Sequence, residues 1–213
     1  MTRAKTHPSS PLHPLISALN DGAREIAHER PSDGLAAIAC ALTGITEAQA
    51  TQQEEQDELE VAPWLEGRQQ DLSKTPNAFL FPFLMDPTTS CFLGAVCGVA
   101  CYNMAVAYHA EAAKAASPQE RLALLKCAKN LYLRADDLIA ENPHILDPQG
   151  SFVYVYLALC HNLIAIHREL GEESEERYGY LVNTFKFSVA EDYDSPMYRY
   201  FAAATNRRPR VFF

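Results

Sequence analysis

Apolar residues recur every three or four positions through most of this chain, which predicts helices with one buried face. From Leu15 to His28 the stripe is Leu15, Ile16, Leu19, Ala23 and Ile26. Pro31 stops that helix, and Ser32 offers an N-cap oxygen to a second one. Leu35, Ile38, Leu42 and Ile45 mark the buried side of the second, so the two form an antiparallel pair with a short loop. A third helix is expected from about Thr89 to Ala116. Ser117-Pro118-Gln119-Glu120 then reads as a helix start: Ser117 caps, Pro118 takes the first helical position and Glu120 closes a capping box. The fourth helix turns Leu122, Leu125, Leu131, Tyr132, Ala135 and Leu138 to the core and ends at Asn142-Pro143. Asp147-Pro148 repeats the cap-then-proline device for a fifth helix, which runs to about Leu170 and closes on a left-handed Gly171. A sixth starts near Glu173 and continues through Tyr180, Leu181, Thr184, Phe185 and Val189.

Between the first and second pairs the pattern changes. Residues 47–74 carry eight acids against two bases, Arg68 and Lys74, which reads as a solvated surface or, secondarily, an acidic docking surface. Trp64, after Pro63, is placed to pin this insert to the body. Residues 78–85, Ala-Phe-Leu-Phe-Pro-Phe-Leu-Met, are apolar but interrupted by Pro82. Proline rules out a central strand, so an extended segment lying across the helices is predicted. Pro8, Pro11 and Pro14 make residues 1–14 a disordered arm. The expected organisation is that arm, an all-α domain over 15–204 with an insert at 47–88, and a tail at 205–213.

The three helix pairs show self-similarity. Each first helix carries an asparagine followed by small or apolar residues: Asn20-Asp21-Gly22, Asn103-Met104-Ala105 and Asn162-Leu163-Ile164. Tyr108 and His167 each lie five residues past their asparagine. The second helices carry triplets at spacings of four then three: Gly34, Ile38, Ala41; Ala128, Tyr132, Ala135; and, more weakly, Glu176, Tyr180, Asn183. From asparagine to triplet is 14 residues in pairs one and three and 25 in pair two, which suggests a turn 11 residues longer there. This pattern resembles the tetratricopeptide repeat. The block Cys101–His109 with the later His161–Gly171 is similar, more specifically, to a group of tetratricopeptide-like proteins of diatoms to which no activity is attached. The resemblance implies a short α-solenoid that binds a partner protein on its concave side, lined by the first helices. The polar groove candidates it picks out are Asn20, Asn103, His109, His161, Asn162 and Arg168. An asparagine there would donate and accept to a peptide backbone at once. The paired lysines that clamp a terminal carboxylate in some members of the family are missing, which weakens the case for acidic chain ends as ligands.

Charge narrows the classes. The net charge is −9 and the pI about 5.2, against a general nucleic-acid or anionic-membrane binder. The most apolar stretch, Phe92–Ala107, is broken by Asn103 and small residues and reads as a buried helix rather than a membrane span. With no secretory pattern near Met1, an intracellular location, cytoplasmic or organellar, is expected, and the six cysteines read as reduced thiols used as small apolar groups.

Candidate chemistry is sparse. Cys97 and Cys101 share a helix face and with His109 or Cys127 offer zinc ligands, yet no Cys-x-x-Cys pair starts such a site. A Cys/His nucleophile pair lacks the electropositive loop that would activate the thiol. Asp136 and Asp137 are neighbours on one helix, point apart and are expected to be solvated. No phosphate loop, Gly-x-Ser-x-Gly or His-Glu-x-x-His occurs. The tail carries Arg207, Arg208, Arg210, Phe212 and Phe213 without an acid. It reads either as a frayed terminus or as an anchor, with arginines for acidic groups and phenylalanines for a pocket, in a partner or on the chain's own insert. The expectation is a non-enzymatic adaptor without cofactor or metal, whose partner is another protein. The alternative is an accessory subunit held in a larger assembly through its tail and insert.

Overall fold

The computed structural model describes residues 12–45, 61–63, 78–87, 92–141, 152–173 and 176–188. The tail residues Arg207, Arg208, Arg210, Phe212 and Phe213, most of the acidic insert with Trp64, and the Asn142-Pro143 and Asp147-Pro148 signals lie outside that set. Within it the chain is mostly helical, as expected: α1 (His13–Ala27), α2 (Pro31–Thr43), α3 (Leu93–Lys114), α4 (Pro118–Ala140), α5 (Phe152–Leu170) and α6 (Glu176–Ser188). Two three-residue strands, β1 (Val61–Pro63) and β2 (Phe83–Met85), pair antiparallel. Each helix packs on the next along the chain, and the first helices α1, α3 and α5 also touch in that order.

The prolines act differently from the sequence expectation in pair one. Pro14 sits in the first turn of α1, where its fixed φ and missing N–H cost nothing. The helix therefore begins at His13, ahead of Leu15, and Leu12 is already buried. Pro31 opens α2 instead of stopping α1, and Ser32 is not its cap; Arg30 holds that position without a side-chain bond. What ends α1 is Glu29, in the left-handed region at φ 62°. Arg30 N–H donates to the Glu25 carbonyl at 3.0 Å and Glu29 N–H to Ile26 at 3.2 Å, the paired bonds of a Schellman turn. The same turn ends α5, where Glu172 N–H reaches His167 O at 2.9 Å and Gly171 N–H reaches Arg168 O at 3.2 Å. There the left-handed residue is the expected glycine, at φ 68°. An L side chain in that region costs about 1–2 kcal/mol, of which glycine's looser unfolded chain returns a part. Glu29→Gly should therefore raise stability by about 0.5–1 kcal/mol in urea unfolding, and a loss would mean that the Glu29 side chain outweighs its backbone strain.

Pair one is drawn tight by two glycines. A Cβ on Gly34 would lie 2.6 Å from the Gly22 carbonyl oxygen and 2.5 Å from Ile26 Cγ1, so α1 and α2 approach where no side chain intervenes. In pair two the 11 extra residues lengthen the helices, to 22 and 23 residues, and leave the turn at residues 115–117 short. That turn carries the predicted Ser117 cap, whose Oγ accepts from Glu120 N–H at 3.1 Å; the return bond of the box is shifted by one residue, with Glu120 accepting from Ala116 N–H at 3.2 Å. Leu122, expected in the core, is 44% exposed, and the buried stripe of α4 is Leu125, Ala128, Tyr132, Ala135, Asp136 and Ile139. In pair three the weak triplet fails. Tyr180 is 70% exposed and Glu176 is exposed, while Tyr178 and Val182 face inward. α3 is the one helix among the described residues long and apolar enough to cross a bilayer by length and composition, and most of that stretch is buried against the other elements.

The segment 78–87 is extended and lies against the helices, as the sequence predicted. It differs in one respect: directly after Pro82, residues 83–85 do form a strand, with Val61 opposite Met85 and Ala62 opposite Leu84. The proline is tolerated because the ladder is only two strands wide and begins after it.

Candidate functional site

Along an extended chain the N–H and C=O of successive residues point to opposite edges. In β2, all three residues lie opposite β1 residues, but Phe83 and Met85 give their N–H and C=O groups to side chains on the edge away from β1. Among the described residues no strand lies there. Asparagine side chains take its place. Asn103 Oδ1 accepts from Phe83 N–H at 2.8 Å and its Nδ2 donates to Phe83 O at 2.8 Å. Asn20 does the same to Met85, at 2.9 and 2.7 Å. Asn162 does it to Phe79, at 2.6 and 3.0 Å, and its Nδ2 also donates to Tyr132 Oη at 2.8 Å. A primary carboxamide has the donor and acceptor spacing of a peptide group. The three asparagines thus stand in for a neighbouring strand, one from each first helix.

The contacts are non-local, spanning 65, 20 and 83 residues of sequence. The segment runs against the chain order of the helices that hold it, with Phe79 at α5, Phe83 at α3 and Met85 at α1. Tyr102 Oη donates to the Phe79 carbonyl at 3.1 Å. The large side chains alternate: Phe79, Phe81, Phe83 and Met85 are buried, whereas Leu80 and Leu84 are half-buried; the smaller Ala78 and Pro82 are buried as well. The aromatic rings form a continuous series. Phe81 lies 5.9 Å from Phe79 and 5.4 Å from Phe83, and Tyr102 lies 5.4 Å from Phe83 and 5.7 Å from Tyr132. Burying four such side chains is worth on the order of 2–3 kcal/mol each. The three asparagines are themselves at most 4% exposed, and the bonds they make meet the need of buried polar groups for partners.

Of the other sequence candidates, His161 touches the segment directly, its ring 5.0 Å from that of Phe79. His109 is buried one layer behind, beside Tyr132 at 6.1 Å. Its Nε2 is 3.8 Å from Glu169, beyond hydrogen-bonding distance, and Glu169 is held at 2.6 Å by Arg121. Arg168 is exposed on the last turn of α5. Sequence reasoning missed Tyr102 and the four apolar side chains of the segment as parts of the site. The alternation Phe79, Phe81, Phe83, Met85 was a signal for them, because a two-residue period places all four on one face.

A second polar cluster corrects the expectation that Asp136 is solvated. Asp136 is 2% exposed, while Asp137 is exposed. Its Oδ1 accepts from Tyr156 at 3.1 Å and its Oδ2 from Tyr178 at 3.1 Å, and Arg177 completes the set. The carboxylate therefore ties α4, α5 and α6 together, with its charge met by a half-exposed arginine.

Three thiols are held in their protonated form. Burial pushes Cys97 up, against the nearby Arg134. Burial and then the neighbouring Cys97 push Cys101 up to about 11. Burial and then Asp136 raise Cys160 further. Cys40 and Cys127 are exposed. Iodoacetamide at pH 7.5 should modify Cys40 and Cys127 first, and Cys97, Cys101 and Cys160 at least about tenfold more slowly, since the thiolate is the nucleophile. Mass spectrometry over a time course checks this, and early labelling of Cys101 or Cys160 would contradict it. Among the described residues no three His, Cys, Asp or Glu side chains converge on a point where a metal could sit. No family model, curated protein or solved structure matches the chain.

Proposed function

We propose that this chain is a non-enzymatic protein-interaction scaffold, a short tetratricopeptide-like solenoid of three helix pairs whose concave face holds extended polypeptide. The observation that carries the reading is the set of three asparagines at matching places on α1, α3 and α5, each gripping one backbone residue through two bonds. Contacts of that kind recognise backbone, which is what a module for binding polypeptide needs. The three raised thiols add support, because they leave Cys97, Cys101 and Cys160 poorly suited to nucleophilic work. His161, half-buried against Phe79, and Arg168, exposed on the same helix, are further candidate contacts on α5.

A second reading makes the chain an accessory subunit of a larger protein assembly, gripped through its tail and insert. It is favoured by the asparagines being already saturated by the chain's own segment. One experiment separates the two: quantitative co-isolation from native extract, followed by reconstitution with the purified partner. It compares the intact chain, a chain lacking 207–213, and Arg168→Glu. A one-to-one partner weakened by Arg168→Glu supports the scaffold. A partner lost only on truncation supports the subunit, and no stoichiometric partner with any form overturns both. Asparagine substitutions are unsuited to this comparison, because they attack the fold itself.

A further inference from the structure

We propose that residues 78–87 are a built-in competitor: a partner chain supplies an extended segment with aromatic or long aliphatic side chains at alternate positions and displaces the internal one from the groove. The inference rests on the scaffold reading and adds its ligand class and its control. The asparagines touch only the N–H and C=O of Phe79, Phe83 and Met85, so they are blind to sequence. Selectivity falls to the four large buried side chains at positions 79, 81, 83 and 85. The clamped positions need an N–H, which excludes proline there, whereas position 82 already carries one. An incoming segment would take the same polarity, its N-terminal end at Asn162 and its C-terminal end at Asn20. The internal segment is covalently attached and competes at an effective concentration on the order of millimolar, so the intact chain is in its closed state.

The probe is a fluorescent synthetic peptide of residues 78–87, titrated by anisotropy into the full chain and into the full chain carrying Phe79→Ala, which weakens the internal segment at one end. The variant is expected to bind at least tenfold more tightly than the intact chain, and the same peptide with Phe83→Pro is expected not to bind either. A variant that keeps the intact chain's circular dichroism but does not bind the probe overturns the proposal. Hydrogen exchange on the unmodified full chain gives a test free of folding defects. The amides of Phe79, Phe83 and Met85 should exchange through an opening less costly than that of the α3 core amides Val99 and Val106. Equal opening with equal denaturant dependence would make the segment permanent core and overturn the proposal. A doubled mass by light scattering with the three amides still protected would point to exchange between two copies and overturn the role of a different partner. If the probe fails while a stoichiometric partner still binds, the scaffold reading survives with its surface elsewhere. If no partner exists, that reading fails whatever the peptide does.

Discussion

Asn103→Asp should lower the unfolding free energy by about 4 kcal/mol at pH 7, and by progressively less in acid. The substitution keeps the shape of the side chain but replaces the Nδ2 donor, 2.8 Å from the Phe83 carbonyl, with an oxygen. Ionised, that oxygen would face a carbonyl in a site that is 1% exposed. Protonated, it would restore the donor. The folded state therefore favours the neutral acid, and the cost at pH 7 is that of holding a carboxyl with an ordinary value near 3.9 protonated, about 4 kcal/mol. The sign follows from proton counting. The introduced group has a raised folded pKa, so the folded chain binds more protons than the unfolded one between about pH 4 and that raised value. Stability relative to the unsubstituted chain then falls as pH rises, by about 1.4 kcal/mol per unit. Asn103→Ala should cost about 3 kcal/mol with no such slope, because it leaves two backbone groups unpaired at every pH. Urea unfolding of the three proteins at pH 5, 6 and 7 decides it. Parallel curves for Asn103→Asp and the parent would mean that the carboxamide is not clamping the backbone.

Phe83→Ala should cost about 3–5 kcal/mol, the usual range for removing a fully buried phenylalanine. Its ring is 0% exposed and lies between Phe81 and Tyr102. Leu84→Ala, one residue on, should cost about 1 kcal/mol or less, because Leu84 is only half-buried and faces the other way. The contrast tests the register, since a shift of one residue would exchange the two results. Thermal or urea unfolding measures both, and equal losses would dissolve the alternation on which the packing of the segment depends.

Much of this arrangement could be read from the sequence. Helix number, the cap at Ser117 and the left-handed Gly171 follow from local rules, and local rules are what short stretches of chain encode. The asparagines were legible too, as groups that donate and accept together. Their partner was not. Nothing in the spacing of Asn162 says that it will meet Phe79, 83 residues away, because that contact is made by tertiary packing and not by local sequence. Asp136 misled for the opposite reason. It lies four residues past Tyr132 and three before Ile139, squarely on the buried stripe of α4, but its charge argued for solvent. The positions were right and the chemistry was overridden by Tyr156, Tyr178 and Arg177, two of which belong to a helix far along the chain. Pro31 shows a third case. A proline between two helical patterns marks a boundary but does not say on which side it belongs.

The grip of Asn162 on Phe79 also sets an order of events at the ribosome. The segment Ala78–Met85 is made first, and another 83 residues must follow Phe79 before its last clamp exists. During that interval the nascent chain carries an apolar, aromatic stretch with an open edge, the kind of sequence that pairs with copies of itself. Pro82 and the acidic stretch upstream then act as guards, interrupting that edge and repelling neighbouring chains until the third helix pair arrives.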